Sequence, residues 1–364
     1  MTVGFFSPLP PAPTGVADYA QALLEALEAR CQVRVQSADA DVCLYHLGNN
    51  QLHRAAYQAA LERPGVAVLH DAVLHHFFLG WLDRDAYVEE FVYNYGESSR
   101  GLAAGLWEER ALSAQDARYF ERALVRRIAE VSRAIVVHNP AAARIVKEHA
   151  PRARVVEIPH LFRAPALPSP HEVADWRSAH GIGVGTFLFG VFGHLRESKR
   201  LHTVLRAFRA LGEGGAALLV AGDFASKDLE RALAPELAAP GVVRVGFLSE
   251  PEFWLAAAAV DACVNLRYPS AGETSGVTIR LMGVGKPVVL TAGEETSRLP
   301  GDACIRIDSG VAEEPMLEAY MGWLAAHPER GREIGQRASA HVAAQHSLDR
   351  AAERYLEVLA SCCA

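Results

Sequence analysis

Residues 3–27 read VGFFSPLPPAPTGVADYAQALLEAL. Val3 to Phe6 is a short apolar run of the kind that forms a buried strand. Four prolines stiffen the loop that follows, and then Val16, Tyr19, Ala20, Leu23, Leu24 and Leu27 recur at helical spacing behind Thr14, a good helix cap. The order is strand, loop, helix. It repeats down the chain: apolar runs at Val33 to Val35, Val42 to Leu47, Val66 to Leu69, Ile135 to Val137 and Val155 to Ile158 alternate with amphipathic stretches. Asn139-Pro140 supplies a cap and a first-turn proline to one of them. Such alternation predicts a parallel sheet covered by helices.

From Pro159 to Ile182 the periodicity lapses into a segment with four prolines, read as a linker with a lead-in helix. A second alternating series follows, with strands expected at Phe187 to Val191, Leu218 to Ala221, Val243 to Val245, Ala262 to Leu266 and Val288 to Leu290. Ser249-Glu250-Pro251-Glu252 is a capping box opening one of its helices. Two doubly wound α/β units in tandem are therefore expected. The chain's 364 residues agree, since single cores stop growing near roughly 250–300 residues.

Composition narrows the class. Half the residues are apolar and 22% are charged, which excludes a disordered, collagen-like or disulfide-dense chain. A net charge of −7 argues against a general grip on nucleic acid, while leaving local basic clusters and peripheral membrane contact open. The six cysteines (Cys31, Cys43, Cys263, Cys304, Cys362 and Cys363) form no CxxC and no metal spacing, as expected of reduced thiols in a cytoplasm. The opening residues lack a basic n-region, and no stretch approaches the roughly 20 apolar residues of a membrane span. Nothing in the composition speaks to oligomeric state.

Open parallel sheets bind ligands at the carboxyl ends of their strands, and three loops there carry chemistry. In PPAPTG, Gly15 lets a ligand approach the backbone where free amides open a helix; a stiffened surface loop is the structural alternative. Val191 to Arg200, VFGHLRESKR, runs from a strand through Gly193 into His194, Arg196 and Lys199, cations suited to a diphosphate. Tyr268 to Thr278, YPSAGETSGVT, places Glu273 before Thr274, Ser275, Gly276 and Val277, so a carboxylate can accept hydroxyl hydrogen bonds while helix-start amides face an anion. A sugar joined to a diphosphate needs that pairing.

GETSGVTIRLMGVGKPVV, with FGHLRESKR upstream and PPAPTGVADY at the start, resembles the large family-four group of retaining glycosyltransferases with the GT-B fold. YHLGNN at Tyr45 to Asn50 and the VLHD ending at Asp71 resemble its bacterial branch. The resemblance covers nearly the whole chain. It implies two Rossmann-like domains facing a cleft: residues 1–160 for the acceptor, a linker at 161–182, residues 183–346 for the nucleotide-sugar donor, and a C-terminal helix, 347–364, crossing back to the first domain. Without the resemblance, that tail with its stripe of Leu348, Ala351, Tyr355 and Leu359 would simply close the second domain.

The resemblance also assigns roles. Lys199 matches the lysine that neutralises the donor diphosphate, and His194 stands where an arginine is usual, so Arg196 or Arg200 is expected to supply the missing cation. Glu273 matches the glutamate that holds sugar hydroxyls. The second glutamate of that motif, which takes the ribose hydroxyls, falls on Leu281, which cannot accept a hydrogen bond; a donor carrying deoxyribose, such as a dTDP-sugar, is one account and a ribose held by backbone or solvent is another. His70 matches a histidine facing the reacting sugar, making His70, Lys199 and Glu273 the implied catalytic set. Gly15, Phe247 and the residues from Thr274 to Val277 join the implied donor site, and Asp18, Asn49 and Asp71 the acceptor side. His70, Asp71, His75 and His76 invite a metal reading, but neighbouring histidines on a helix point in different directions, and a metal-independent enzyme is expected.

The expected reaction is transfer of a sugar from a UDP-, GDP- or dTDP-linked donor to a hydroxyl acceptor with retention. A dinucleotide-dependent dehydrogenase is disfavoured because no GxGxxG follows the first strand. A phosphorylase or epimerase of the same fold is a lesser alternative, and a non-catalytic nucleotide-sugar sensor or partner subunit is the principal one. Phe77, Phe78, Trp81 and Tyr93 to Glu97 read as core packing in preference to an acceptor cleft.

Overall fold

The computed structural model describes residues 1–212 and 215–363; Ala364, the last residue of the expected tail, lies outside them. The chain divides into two compact units, Met1–Arg163 with Pro269–Thr274 and Gln345–Ala364, and Ala164–Tyr268 with Ser275–Ala344.

Unit 1 holds β1 (Thr2–Phe6), β2 (Gln32–Val35), β3 (Val42–Leu47), β4 (Val66–Leu69), β5 (Ala134–Val137) and β6 (Val155–Glu157), all parallel, in the order β2-β1-β3-β4-β5-β6. Thr14 caps the helix Gly15–Glu28, its Oγ1 accepting from Val16 N. Successive residues of a strand face opposite sides. Accordingly Val42 and Leu44 enter one core with the helix Gly15–Glu28, while Cys43 and Tyr45 enter another with Phe77, Phe78, Tyr87 and Phe91. Burial on both faces is why these strands read as continuous apolar runs and not as alternating ones. Phe77, Phe78 and Asn94 are buried and the Tyr95 hydroxyl accepts from Ala123 N, so these residues pack the interior, whereas Trp81 and Tyr93 are half-buried and Gly96 and Glu97 are exposed.

The C-terminal helix Leu348–Ala360 packs in unit 1 through Ala351, Ala352, Tyr355, Val358 and Leu359. Its Tyr355 hydroxyl lies 2.9 Å from that of Tyr19. At either end, Arg30 pairs with Asp349 at 2.6 Å and Arg133 donates to the Cys362 carbonyl at 2.6 Å.

Unit 2 holds β7 (Phe187–Phe192), β8 (Ala216–Ala221), β9 (Val242–Val245), β10 (Ala262–Asn265), β11 (Val288–Thr291) and β12 (Ile305–Ile307), again parallel, in the order β12-β11-β10-β7-β8-β9. The short strand β12 was not anticipated, because three residues carry too little pattern to separate from a loop. The helix Glu250–Ala259 opens with the expected box, Ser249 N donating to Glu252 Oε2 at 2.8 Å. At its far end Lys286 Nζ donates to the carbonyls of Ala258 and Val260, both at 2.7 Å, which is where a cation suits a helix terminus. Burial pushes that ammonium down to about 8. No helix among the described residues is long and apolar enough to cross a membrane.

Two helical glycines, Gly335 in unit 2 and Gly105 in unit 1, differ in how tightly they are packed. A methyl group on Gly335, in the helix Pro328–Gln345, would overlap the backbone carbonyl of Gly285, whereas one on Gly105, in the helix Arg100–Glu108, meets nothing within 4 Å. Gly335→Ala is expected to lower unfolding stability by about 1–3 kcal/mol through overpacking. Gly105→Ala is expected to raise it by about 0.5–1 kcal/mol through helix propensity, both read from urea denaturation.

Candidate functional site

In unit 2 the strand order reverses between β7 and β10, and open α/β sheets bind ligands at the carboxyl ends beside such a reversal. β7 runs into Gly193 at φ +89, a conformation other residues rarely adopt. A side chain there would stand 3.4 Å from Val277 Cγ2 and 3.6 Å from Lys199 Nζ. Gly193 therefore keeps a side chain from standing against the lysine's Nζ.

Lys199 ends the short turn Glu197–Lys199 and is 4% exposed. A buried ammonium needs hydrogen-bond acceptors; Nζ donates to the Phe192 carbonyl at 2.5 Å and to Asn265 Oδ1 at 3.3 Å. Asn265, at the end of β10, turns its amide the other way and donates to Ser275 Oγ at 2.7 Å and Thr278 Oγ1 at 2.6 Å. One side chain thus joins the lysine to the start of the helix Gly276–Gly283. Ser275 caps that helix by accepting from Thr278 N, and the first amides of any helix have no acceptor within it. Sequence reading passed over Asn265; the available signal was an amide at the end of an otherwise apolar strand.

The other cations sort themselves by partner. Arg200 is held by Glu313, itself buried, with Nε to Oε2 at 2.8 Å, and so is committed to structure. Arg196 is exposed beside His194. Arg267, not anticipated, donates from Nη2 to Ser275 Oγ at 3.3 Å at the helix start. His194 is exposed, and partial burial, followed by Arg196, lowers its pKa despite Asp223, so it is neutral at pH 7. Phe247, 77% exposed, follows β9, and its amide donates to Asp223 Oδ1 at 3.1 Å. Leu281 is fully buried. The expectation that it lines the donor site is corrected here: a side chain with no exposed surface packs the helix against the sheet and offers a ligand nothing.

The loop Pro269–Thr274 belongs to unit 1. The Ala271 carbonyl accepts from Ala72 N at 2.9 Å and Val73 N at 3.0 Å, and Asn139 Nδ2 donates to the Gly272 carbonyl at 2.9 Å and Thr274 Oγ1 at 3.0 Å. Gly272, at φ +73, lies so close to Ala72 that a methyl group would come within 2.9 Å of its Cβ. Within this loop Glu273 Oε2 accepts from Ala271 N at 2.7 Å. Glu273 and Thr274 are thereby brought to the segment that begins with His70 and Asp71. Asn139, anticipated as a helix cap through Ala142 N, has this second role through its other amide atom.

Four neighbouring strands of unit 1 carry histidines at their carboxyl ends: His46 on β3, His70 after β4, His138 after β5 and His160 after β6. His46 Nδ1 lies 2.9 Å from His70 Nε2, and His70 Nδ1 lies 3.3 Å from His138 Nε2. His138 Nδ1 donates to the Ile158 carbonyl at 2.9 Å, and His53 Nδ1 to that of His46 at 2.9 Å. Both ring nitrogens of His70 are therefore engaged inside the unit. Asp71 Oδ2 accepts from Asn49 N at 2.8 Å, and Asn49 Oδ1 accepts from Phe77 N, fixing the loop after β3 to the helix His75–Trp81. Asp18 and Gly15 are exposed in the first turn of their helix, with open space where a Gly15 side chain would be. His75 Nε2 meets the Tyr87 hydroxyl while His76 meets Asn49 and Ser113. Among the described residues no group of three or more His, Cys, Asp or Glu is placed to hold a metal ion.

Residues 186–315 match the family model described as Glycosyl transferases group 1, a stretch containing Gly193, Lys199, Asn265, Glu273 and Ser275. No curated protein matches the chain in sequence. Its fold is that of GT-B glycosyltransferases. It is similar to Alr3699/HepE from Anabaena in complex with UDP-glucose, with TM-score 0.71 and 16% identity over 99% of this chain and 100% of that one. Sucrose-phosphate synthase from Thermosynechococcus elongatus gives 0.69 at 14% identity, covering 99% and 98%, and WaaG, a glycosyltransferase involved in lipopolysaccharide biosynthesis, gives 0.64 at 16%, covering 98% and 99%.

Burial drives the pKa of His53 and His138 down to about 4 and that of His75 to about 3, and holds His46 and His70 well below their ordinary value. In the unfolded chain these rings take up protons below about pH 6.5, whereas the folded rings stay neutral until near their lowered values. Stability is therefore present in full above about pH 6.5 and is lost as pH falls toward about 4, by about 1.4 kcal/mol per pH unit for each such ring. Urea midpoints measured across that range check it. Replacing His53 with Gln should flatten the slope.

Proposed function

We propose that this chain is a retaining glycosyltransferase that moves a sugar from a nucleoside-diphosphate sugar to a hydroxyl acceptor, without a metal. The observation that carries the reading is the Lys199–Asn265–Ser275 arrangement at the β7/β10 reversal, within the stretch matched by the glycosyltransferase family. HepE, which shares the fold, holds UDP-glucose, and this supports a nucleotide sugar as co-substrate.

Breaking the bond between the anomeric carbon and the phosphate oxygen builds negative charge on the leaving diphosphate. Lys199, Arg196 and the amides opening the helix Gly276–Gly283 would stabilise that charge, and fixed dipoles do so without reorganising. Neutral His194 can donate one hydrogen bond but adds no charge. Glu273 would hold sugar hydroxyls, its carboxylate oriented by Ala271 N. Retention, inferred from the resemblance, has the acceptor hydroxyl attack on the face from which the diphosphate leaves. Asp18, Asn49 and Asp71 are the proposed acceptor side. Leu281 supplies no carboxylate for a ribose; a deoxyribose donor and a ribose held by backbone or solvent are the two accounts to be separated.

Lys199→Ala and Glu273→Ala should each lower turnover by about 10²- to 10³-fold, measured as nucleoside-diphosphate release, with thermal melts showing whether the fold persists. A Glu273→Ala enzyme running near the wild-type rate overturns the sugar-site assignment. Donor binding without any hydrolysis or transfer would favour a sensor instead. Calorimetry with UDP, GDP, ADP and dTDP tests the base: dTDP is expected to bind at least as tightly as the rest, and clearly tighter UDP or GDP sinks the deoxyribose reading.

A further inference from the structure

The histidine row of unit 1 has a direction. At one end, His138 Nδ1 lies 2.9 Å from the Ile158 carbonyl, which can only accept, so Nδ1 carries the proton. All these rings are buried and neutral, so each carries one proton. His138 Nε2 is then a lone pair, and His70 must donate to it from Nδ1. His70 Nε2 is in turn a lone pair, and His46 must donate to it from Nδ1. The cascade ends at His46 Nε2, a buried lone pair with no hydrogen-bond partner. That orphan acceptor is what a chain set from its carbonyl end leaves over. Reversing every tautomer would bring the His138 Nδ1 lone pair against the Ile158 oxygen, so the row cannot pass a proton through.

We propose that His46 and His138 are positioning residues that lock His70 as the neutral Nδ1–H tautomer with both ring nitrogens occupied, so that His70 serves the transfer reaction as a fixed wall and not as an acid or base. The groups facing His70 fit this role. Tyr19, from the helix Gly15–Glu28, meets its ring edge-on at 4.8 Å, and His46 stacks on it at 5.2 Å; beyond them, His53 and His160 add further rings and no carboxylate. At 9% exposure His70 has only a sliver of surface for a ligand, and its ring cannot rotate without breaking two hydrogen bonds. In the sequence His46 lies inside an apolar strand run and His138 just past the end of another. Parallel register pairs Val68 with both His46 and Val136, which sets His138 level with His70 and His46 two residues before it.

This inference rests on the glycosyl-transfer reading for its functional half only, and the first measurement needs no donor. Two-bond proton–nitrogen correlation spectra of the full chain labelled with ¹⁵N-histidine should show His46, His70 and His138 all protonated at Nδ1 and bare at Nε2. An Nε2-protonated His70 overturns the proposal whatever the chain catalyses. The second measurement uses His138→Phe, which leaves His70 Nδ1–H without an acceptor: the donor KM should rise about tenfold with kcat within about twofold, as expected when binding shared by ground and transition states is lost. An unchanged KM, or a collapse of kcat alone, overturns the positioning role. Should that variant not fold, His46→Phe supplies the same test from the other side. Spectra as expected in a chain that transfers no sugar would leave the lock standing and remove the transferase reading.

Discussion

Parallel pairing of every strand in both sheets is the constraint from which the rest follows. When all strands of a sheet point one way, all of their carboxyl ends share one edge, and each loop leaving that edge must climb over a helix before the next strand begins. Residues far apart in the chain are thereby made neighbours: His46, His70 and His138 in unit 1, and Gly193, Asp223, Phe247 and Asn265 in unit 2. Strand-order reversal then selects one point on the edge. In unit 2 it lies where β7 and β10 adjoin, with the lysine and the helix start on either side.

Side-chain amides do the joining at that edge. An asparagine is both donor and acceptor, so it can hold two unlike groups at fixed spacing. Asn265 accepts from Lys199 and donates to Ser275 and Thr278; Asn139 accepts from Ala142 N and donates to Gly272 and Thr274. A single exchange of either for an apolar residue would leave several buried partners unpaired at once, a larger penalty than the loss of one bond. Buried histidines extend the same logic to unit 1. Along the row from His138 through His70 the ring nitrogens are satisfied by one another in sequence from a carbonyl, and the row ends on an unpartnered nitrogen of His46.

Much of this was readable from residue order. The strands at Val3, Val42, Val66 and Val155, the caps Thr14, Asn139 and Ser249, and the tail stripe around Tyr355 follow from local propensity and periodicity, which act over a few residues. The basic stretch at Lys199 and the acidic one at Glu273 were visible because charge at a strand end is unusual enough to notice. Leu281 misled for the opposite reason. Counting along a motif gives a position but not which way it faces, and a buried face cancelled the role the count suggested.

Sequence by itself determined the two parallel α/β units, their caps and the residue types available for binding a charged ligand, because these depend on side-chain chemistry and short-range spacing. Tertiary structure alone decided who meets whom. It placed Glu273 with unit 1 through Asn139 and Ala72, gave Arg200 to Glu313, tied Lys199 to Ser275 through Asn265, and fixed the proton on each histidine from His138 to His46. The physical reason is that hydrogen bonds and ion pairs act over a few ångströms of space, and only the register of distant strands sets those distances.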